Sequence, residues 1–373
     1  MKILFISSWF PNKLEPTNGN FVQRHAEAVA LKHDVEILHT IGDFNQKETF
    51  VFDDKIINGI RTFVIYYKNS KNPIQNFLRR MKAYKMGFSK MQKPELVHGN
   101  VLHNNMLFAV YLKKKYKIPF VITEHWTALR KVNLNKTSFI IKQTAKMIGN
   151  QADMILPVSN DLKDSLNLLG IKTPKKVIPN VVDTKLFTPQ NAVSEDFTFI
   201  HISNLIPRKN ADKILDVTIK LLKEGYPIKL KIGGDGETQN LREIVRKEGL
   251  ENKIEIFDTI TSEEVSYKLK ISDCFILLSD DENQPCVISE SFASGIKVIS
   301  TNVGGIAEFF PQNFGILVEK PDSLLLESAM KKMIAEDRSW DRNEIANYAD
   351  ITFSKESIAG KFNDIYERIN SLK

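Results

Sequence analysis

Short apolar runs and longer segments of helical periodicity alternate along nearly the whole chain. Lys2–Ile6, Asp34–His39, Arg61–Tyr66, Leu96–His98, Phe120–Thr123 and Met154–Val158 are rich in Val, Ile and Phe and are strand-sized. Between several of them, stretches such as Phe21–Leu31 and Met106–Tyr116 repeat apolar residues at helical spacing. The pattern restarts after Phe187. There the chain predicts strands at Phe197–Ile202, Ile228–Ile232, Ile254–Phe257, Cys274–Leu278 and Lys297–Ser300. Helices are predicted near Ala211–Glu224, Thr238–Glu248, Glu263–Ile271 and Val287–Ser294. Such alternation builds βαβ units on a parallel sheet, so the expected fold class is α/β with two Rossmann-like doubly wound domains. Thr188–Asp196, with Pro189 and few apolar residues, reads as the linker. The expected domains are residues 1–187 and 188–352, followed by a closing segment, 353–373. Ligands of such domains bind at the carboxyl ends of the strands, here expected to face each other across a cleft.

Composition narrows the class. The 373 residues exceed what one core usually serves, and 42% apolar with 26% charged residues is an ordinary soluble balance. No run approaches the roughly 18 apolar residues of a membrane span. The apolar start, MKILFISSWFP, is interrupted by Ser7, Ser8 and Pro11, which fits a buried first strand better than a signal peptide. The two cysteines, Cys274 and Cys286, fit neither a metal-ligand spacing nor a disulfide framework, so the cytosol is the expected compartment. The net charge of +7 is uneven: Met1–Phe187 carries 29 Lys and Arg against 14 Asp and Glu, the remainder 23 against 31. A basic half suggests a polyanionic surface as partner; solvated lysines are the plainer reading.

The densest chemistry lies in Ser279–Glu308. A strand runs into the polar loop SDDENQPC and a helix follows, with Glu282 and Glu290 separated by seven residues. A carboxylate can accept two hydrogen bonds from a vicinal diol, as on a ribose or sugar ring, while a helix N-terminus suits a diphosphate. Carboxylates are favoured at helix starts in any case. After the strand Phe197–Ile202, the loop Ser203–Asn210 places Arg208 and Lys209 at a strand end, a suitable clamp for a diphosphate. Gly233-Gly234-Asp235-Gly236 turns at the same sheet edge. In the first half, Asn18-Gly19-Asn20 precedes a helix, and His125 follows a strand within Thr-Glu-His-Trp. Neither a GxGxxG fingerprint nor a Walker A loop occurs, which counts against a dinucleotide oxidoreductase.

In order and spacing these pieces resemble the retaining GT-B fold glycosyltransferases of family 4. The resemblance rests on the Gly19 loop, Val177-Ile178-Pro179-Asn180-Val181-Val182-Asp183, Lys209, Gly234-Asp235-Gly236-Glu237, Glu282 with Glu290-Ser291-Phe292-Ala293-Ser294-Gly295, and Gly304-Gly305 with Glu308. It implies a nucleotide sugar, UDP- or GDP-linked, as donor substrate, with no cofactor and no metal. It implies that Glu290 holds the ribose, Glu282 contacts the donor sugar and Lys209 neutralises the diphosphate. By the same resemblance the Gly19 N–H touches phosphate, His125 faces the transferred sugar and the backbone near Ile260 meets the base. The closing segment, Phe353-Ser354 through Tyr366, looks like the family's last helix, which returns to the first domain. Three departures bear on the donor. Asn204 stands where the family usually has Arg, and Arg208 is expected to replace it. Gln284-Pro285 replaces the usual Phe-Gly, which leaves the sugar contacts to Cys286 or Val287, because proline has no N–H. Thr259 stands where a glycine is common near the base.

Lys68–Lys93 holds eight basic residues and no acidic one, with Ile74, Phe77, Leu78, Met81, Phe88 and Met91 near helical spacing. A basic amphipathic helix of this kind suits an anionic membrane or acceptor surface through Arg79, Arg80, Lys82 and Lys85; a helix packed on its own sheet is the alternative. Bacterial enzymes of the resembled family often act on lipid-linked saccharides. The expected function is therefore sugar transfer to a saccharide or lipid-linked acceptor in surface polysaccharide or glycolipid synthesis, in the cytoplasm or peripheral on the inner face of the plasma membrane. A nucleotide-sugar epimerase of the same fold is one alternative. A nucleic-acid-binding protein is another, disfavoured because the basic stretch lacks interleaved stacking aromatics.

Overall fold

The computed structural model describes residues 1–190, 195–336 and 338–371. The chain divides into two compact units, unit 1 comprising Met1–Val181 with Lys355–Lys373, and unit 2 comprising Val182–Ser354.

Unit 1 runs β1 (Lys2–Ser7), α1 (Asn20–Ala30), β2 (Asp34–Asp43), β3 (Phe50–Ile57), β4 (Ile60–Lys68), α2 (Pro73–Phe88), β5 (Leu96–Asn100), α3 (Leu107–Tyr116), β6 (Phe120–Glu124), α4 (Phe139–Gly149), β7 (Met154–Pro157) and α5 (Asn160–Leu168). Its sheet has the order β3-β4-β2-β1-β5-β6-β7, all parallel except β3. β3 is a strand beyond those expected from the sequence, and Asn58-Gly59 supplies the hairpin turn that joins it to β4. Both residues adopt positive φ, 50° and 79°, as a two-residue turn of this kind needs. Its face alternates too weakly to announce a strand, because β3 is an exposed edge.

Unit 2 runs β8 (Phe197–Ser203), α6 (Ala211–Lys223), β9 (Ile228–Gly234), α7 (Gln239–Glu248), β10 (Ile254–Phe257), α8 (Ser262–Lys270), β11 (Cys274–Leu277), α9 (Cys286–Ala293), β12 (Lys297–Thr301), β13 (Gly315–Val318), α10 (Ser323–Ala335) and α11 (Arg342–Phe353). The sheet is wholly parallel, in the order β10-β9-β8-β11-β12-β13. Central strands of both sheets are buried on both faces, which explains their continuous apolar runs. Each order reverses once, between β1 and β5 in unit 1 and between β8 and β11 in unit 2. The loops leaving those strands diverge and open a crevice.

The last helix, α12 (Lys355–Asn370), belongs to unit 1. Ile358, Phe362, Ile365 and Tyr366 are buried in one cluster with Val22, Ala26 and Val29 of α1, and Lys355 Nζ lies 2.9 Å from Glu27 Oε2. The division also differs from the expected boundaries at 187/188 and 352/353. Val182 and Phe187 are buried with Ile200, Phe275 and Phe353, so the segment before the polar stretch already packs on unit 2. The expected linker Thr188–Asp196 therefore lies inside unit 2, and its residues 191–194 fall outside the described residues. No helix among the described residues is long and apolar enough to cross a membrane.

Candidate functional site

The reversal point of unit 2 is stitched shut by side chains from both flanking loops. After β8 the chain makes a single 3₁₀ turn, Pro207–Lys209, and Asn210 takes a left-handed conformation (φ 50°) at the start of α6. Asn210 Nδ2 donates to Leu278 O (2.8 Å) and Asp280 Oδ1 (2.9 Å), and Asp280 N donates to Arg208 O (2.9 Å). These bonds tie the loop after β8 to the loop after β11. They bring Lys209 Nζ into direct contact with Glu282 Oε1, both residues more than nine-tenths buried. A buried pair of this kind is held by position, since desolvation offsets much of the attraction between its charges. Glu290 lies on α9, 7% exposed, in the second turn of the helix.

The helix α9 starts at Cys286, one residue earlier than expected. Pro285 precedes it, so the first N–H groups of the helix belong to Cys286 and Val287. Gly305 N donates to Asn283 O (3.0 Å), which joins the glycine turn after β12 to the carboxylate loop. The turn leads into a short 3₁₀ segment, Ile306–Phe309. Asn204 is exposed, and Arg208 Nη1 donates to Asp281 O (2.5 Å). Ile260 is half-buried in the loop before α8, whose N-terminus carries a Thr261/Glu264 capping box. The turn at Gly234 admits no side chain: its φ is 134°, and a Cβ would meet Ser203 O at 2.0 Å. His201, which the sequence reading passed over, lies behind the pair. It bonds to Ile276 O (2.8 Å) and Ser203 Oγ (2.9 Å), and burial pushes its pKa down to about 4.

In unit 1, Gly19 caps α1 at φ 78°, and a Cβ there would meet the Trp9 carbonyl at 2.5 Å. Only glycine lets the loop after β1 fold this closely onto the helix N-terminus. His125 follows β6 and is 9% exposed. Its ring lies 4.3 Å from that of Phe21 and 5.4 Å from that of His25. Burial, reinforced by His25 and His98, holds its pKa well below the ordinary imidazole range. His125 is thus a member of a cluster and not a lone histidine. His25 bonds to Pro179 O (3.3 Å), and His98 bridges Tyr366 Oη (2.5 Å) and Thr123 Oγ1 (2.6 Å). Glu124, beside His125, was also passed over. Its carboxyl group accepts from the N–H groups of Leu102 (2.5 Å), Trp126 (2.6 Å) and His125 (2.8 Å), clamping the loops after β5 and β6 together. The Thr-Glu-His-Trp run after a buried strand was its one signal in the sequence.

The basic helix α2 corrects the expectation of a uniform cationic surface. Arg80 turns inward: Nη1 donates to Asn104 Oδ1 (2.8 Å) and Asn105 Oδ1 (2.7 Å), Nε and Nη2 to Tyr67 Oη (3.1 and 2.9 Å). Arg79 Nη1 donates to Lys68 O (2.6 Å), while Lys82 and Lys85 are exposed. The apolar stripe divides as well. Met81, Phe88 and Met91 pack on the core, and Ile74 and Leu78 stay exposed. The reason is geometric: the C-terminal half of α2 lies on β2 and β4 with Ala83, Tyr84 and Gly87 buried, and the N-terminal half overhangs the sheet. Within Asp280-Asp281-Glu282, Asp280 and Glu282 already hold protein partners, so the run offers a metal little free carboxylate.

Residues 182–351 match the family model described as Glycosyl transferases group 1, and residues 19–186 that described as Glycosyltransferase Family 4. Among curated proteins the chain is 25% identical to a phosphatidylinositol N-acetylglucosaminyltransferase subunit of Arabidopsis thaliana, over 75% of this chain and 63% of that protein. It is 24% identical to the alpha-monoglucosyldiacylglycerol synthase of Streptococcus pneumoniae, over 67% and 62%. The chain thus spans less than two thirds of the length of these two relatives. It is 22% identical to TuaC of Bacillus subtilis, named as a glycosyltransferase of teichuronic acid biosynthesis, over 97% and 96%. Among solved structures, the sucrose-phosphate synthase of Thermosynechococcus elongatus aligns over 100% of both chains with a TM-score of 0.79 at 18% identity. HepE of Anabaena, in complex with UDP and glucose, aligns over 98% of this chain and 99% of its own with a TM-score of 0.76 at 16% identity. With two parallel-sheet α/β units of the GT-B class and both halves matched by family models, the chain belongs to the family 4 glycosyltransferases.

Proposed function

We propose that this chain is a retaining, metal-independent glycosyltransferase. It moves a sugar from a UDP- or GDP-sugar to a saccharide or lipid-linked acceptor in surface polysaccharide or glycolipid synthesis. The observation that supports this most is the buried Lys209–Glu282 pair at the reversal point of unit 2, with Glu290 on the adjoining helix. On this reading Glu290 accepts the ribose hydroxyls, and the N–H groups of Cys286 and Val287 at the start of α9 meet the donor. Asn204 and the backbone at Ile260 flank it. Lys209, with Arg208 in place of the family's usual arginine, neutralises the charge that builds on the departing diphosphate. Glu282, released from Lys209 as the phosphate takes the cation, accepts from the donor sugar. The backbone N–H of Gly19 touches the phosphate. His125, held neutral by burial, hydrogen-bonds the transferred sugar and cannot compete with Lys209 as a cation. Catalysis then consists of positioning and charge stabilisation, a contribution typically worth a few kcal/mol per donor group. Lys82 and Lys85 suit attachment to an anionic cytoplasmic membrane face, each cation contributing about 1 kcal/mol near such a surface.

The test is a thermal-stability screen with UDP-, GDP-, ADP- and CMP-sugars, then NMR of the product formed from the stabilising donor in excess EDTA. One donor should raise the melting temperature through Glu290, and the transferred sugar should keep its anomeric configuration with EDTA present. Inversion, loss of turnover in EDTA, or full donor binding by Glu290→Ala would each reject part of this reading.

A further inference from the structure

At the carboxyl edge of the unit 1 sheet lies a polar cavity of about 300 Å³, over the ends of β4, β2, β1 and the loop after β5. Trp9, Glu15, Tyr67, Asn69, Arg80 and Asn105 are among the residues that line it. Arg80 is the unusual member. It is half-buried, and its hydrogen-bond partners, Tyr67, Asn104 and Asn105, are all neutral. Arg61, by contrast, pairs with Glu36 and Asp54, and Arg130 with Asp161, while Arg80 forms no ion pair among the described residues. Four of its five N–H donors are assigned; the fifth, on Nη2, is not. Ser8 Oγ, which also borders the cavity, is buried with no hydrogen-bond partner among the described residues. Glu15 supplies the one carboxylate of the lining, and its Oε2 accepts from Asn18 Nδ2 (2.6 Å).

A guanidinium oriented by neutral groups keeps its full charge for a ligand. The planar fork suits an oxyanion, and the amides and carboxylate around it suit hydroxyls. We propose that this cavity receives an anionic group, a carboxylate or phosphate, on a hydroxylated acceptor, with Arg80 as the residue that reads the charge. This rests on the glycosyltransferase reading above for the word acceptor alone; the anion preference follows from the cavity.

The full chain is titrated with methyl β-glucuronide, glycerol phosphate and methyl β-glucoside by saturation-transfer NMR at low ionic strength, with thermal stabilisation by UDP, GDP, ADP and CMP measured in parallel. A charge-assisted hydrogen bond predicts that at least one anionic probe binds about tenfold or more tightly than the glucoside. Whichever of the two binds tighter identifies the group as carboxylate or phosphate. Arg80→Gln should remove the preference and Arg80→Lys should keep part of it. Equal binding of charged and neutral probes by the unaltered protein overturns the proposal, as does a preference that survives in a folded Arg80→Gln protein. Should Arg80→Gln fail to fold, the comparison of probes on the unaltered chain decides by itself. A protein that prefers the anion but gains no stability from any nucleotide would sink the donor reading and leave this one standing.

Discussion

At the reversal point of unit 2 the loops after β8 and β11 exchange a buried ion pair, Lys209–Glu282; at that of unit 1 the loops after β1, β5 and β6 meet around imidazoles and one carboxyl group. Both edges arise from the same doubly wound topology, yet their electrostatics are opposed. Unit 2 holds opposite charges in contact, where an anionic ligand can exchange partners with them. Unit 1 holds His25, His98 and His125 neutral by burial, and Glu124 is raised to about 7 by the same cause against the pull of its three backbone donors. Topology places the crevice, and the side chains around it decide which charges the crevice tolerates.

The largest effect expected from this contrast is on acid stability. Imidazoles with depressed pKa bind fewer protons folded than unfolded, so their stabilisation is present above the ordinary value near 6.5 and is lost as pH falls. His25 and His39 at about 4, with His98 and His125 lower still by direction, set that window for unit 1; unit 2 has His201 at about 4. Glu124 acts the other way, favouring the folded state below its ordinary value of 4.5 and losing that contribution as pH rises towards 7. Each group contributes about 1.4 kcal/mol per pH unit, so His25, His39, His98 and His125 together outweigh Glu124 by several kcal/mol near pH 5. Hydrogen exchange at pH 7 and pH 5 should show the β5 and β6 peptides opening before those of β8 and β11. Equal protection in both units would break the comparison.

The next effect concerns the ion pair itself. Lys209→Met and Glu282→Gln are each expected to lower sugar transfer about 10²–10³-fold, on the order of 3 kcal/mol. The double variant should lose much less than the product of the two, because the partners act as one unit. Additive losses would show that the contact has no catalytic meaning. Smaller again are the turns. Gly19→Ala and Gly234→Ala should each cost about 1–3 kcal/mol in urea denaturation, since both add strain at positive φ and a Cβ against backbone oxygen. A loss in one and not the other would show which loop can shift. The smallest effect is at the membrane. Lys82→Gln or Lys85→Gln alone should weaken pelleting with anionic vesicles by about fivefold, about 1 kcal/mol, and leave neutral vesicles unaffected.

The strands with continuous apolar runs, the two-domain series and the Glu282–Glu290 spacing were legible in the sequence, because burial on both faces leaves an unbroken apolar run and the two carboxylates stand eight positions apart in one strand–loop–helix segment. β3 was not, although Asn58-Gly59 announced its turn, because an exposed edge strand carries no clear alternation. Arg80 could not be told from Arg79 by position on a helix: whether a guanidinium faces solvent or Tyr67 depends on where the helix lies on the sheet.

The sequence alone determined that the chain alternates strand and helix, where glycine must turn, and which carboxylates and cations fall at strand ends. Those facts are local, fixed by periodicity and backbone sterics. Only the tertiary structure decided that Lys209 touches Glu282 across 73 residues, that α12 returns to α1, and that histidines from α1, β5 and the loop after β6 share one buried cluster. Such contacts depend on strand order, and strand order is set by how whole layers bury their faces.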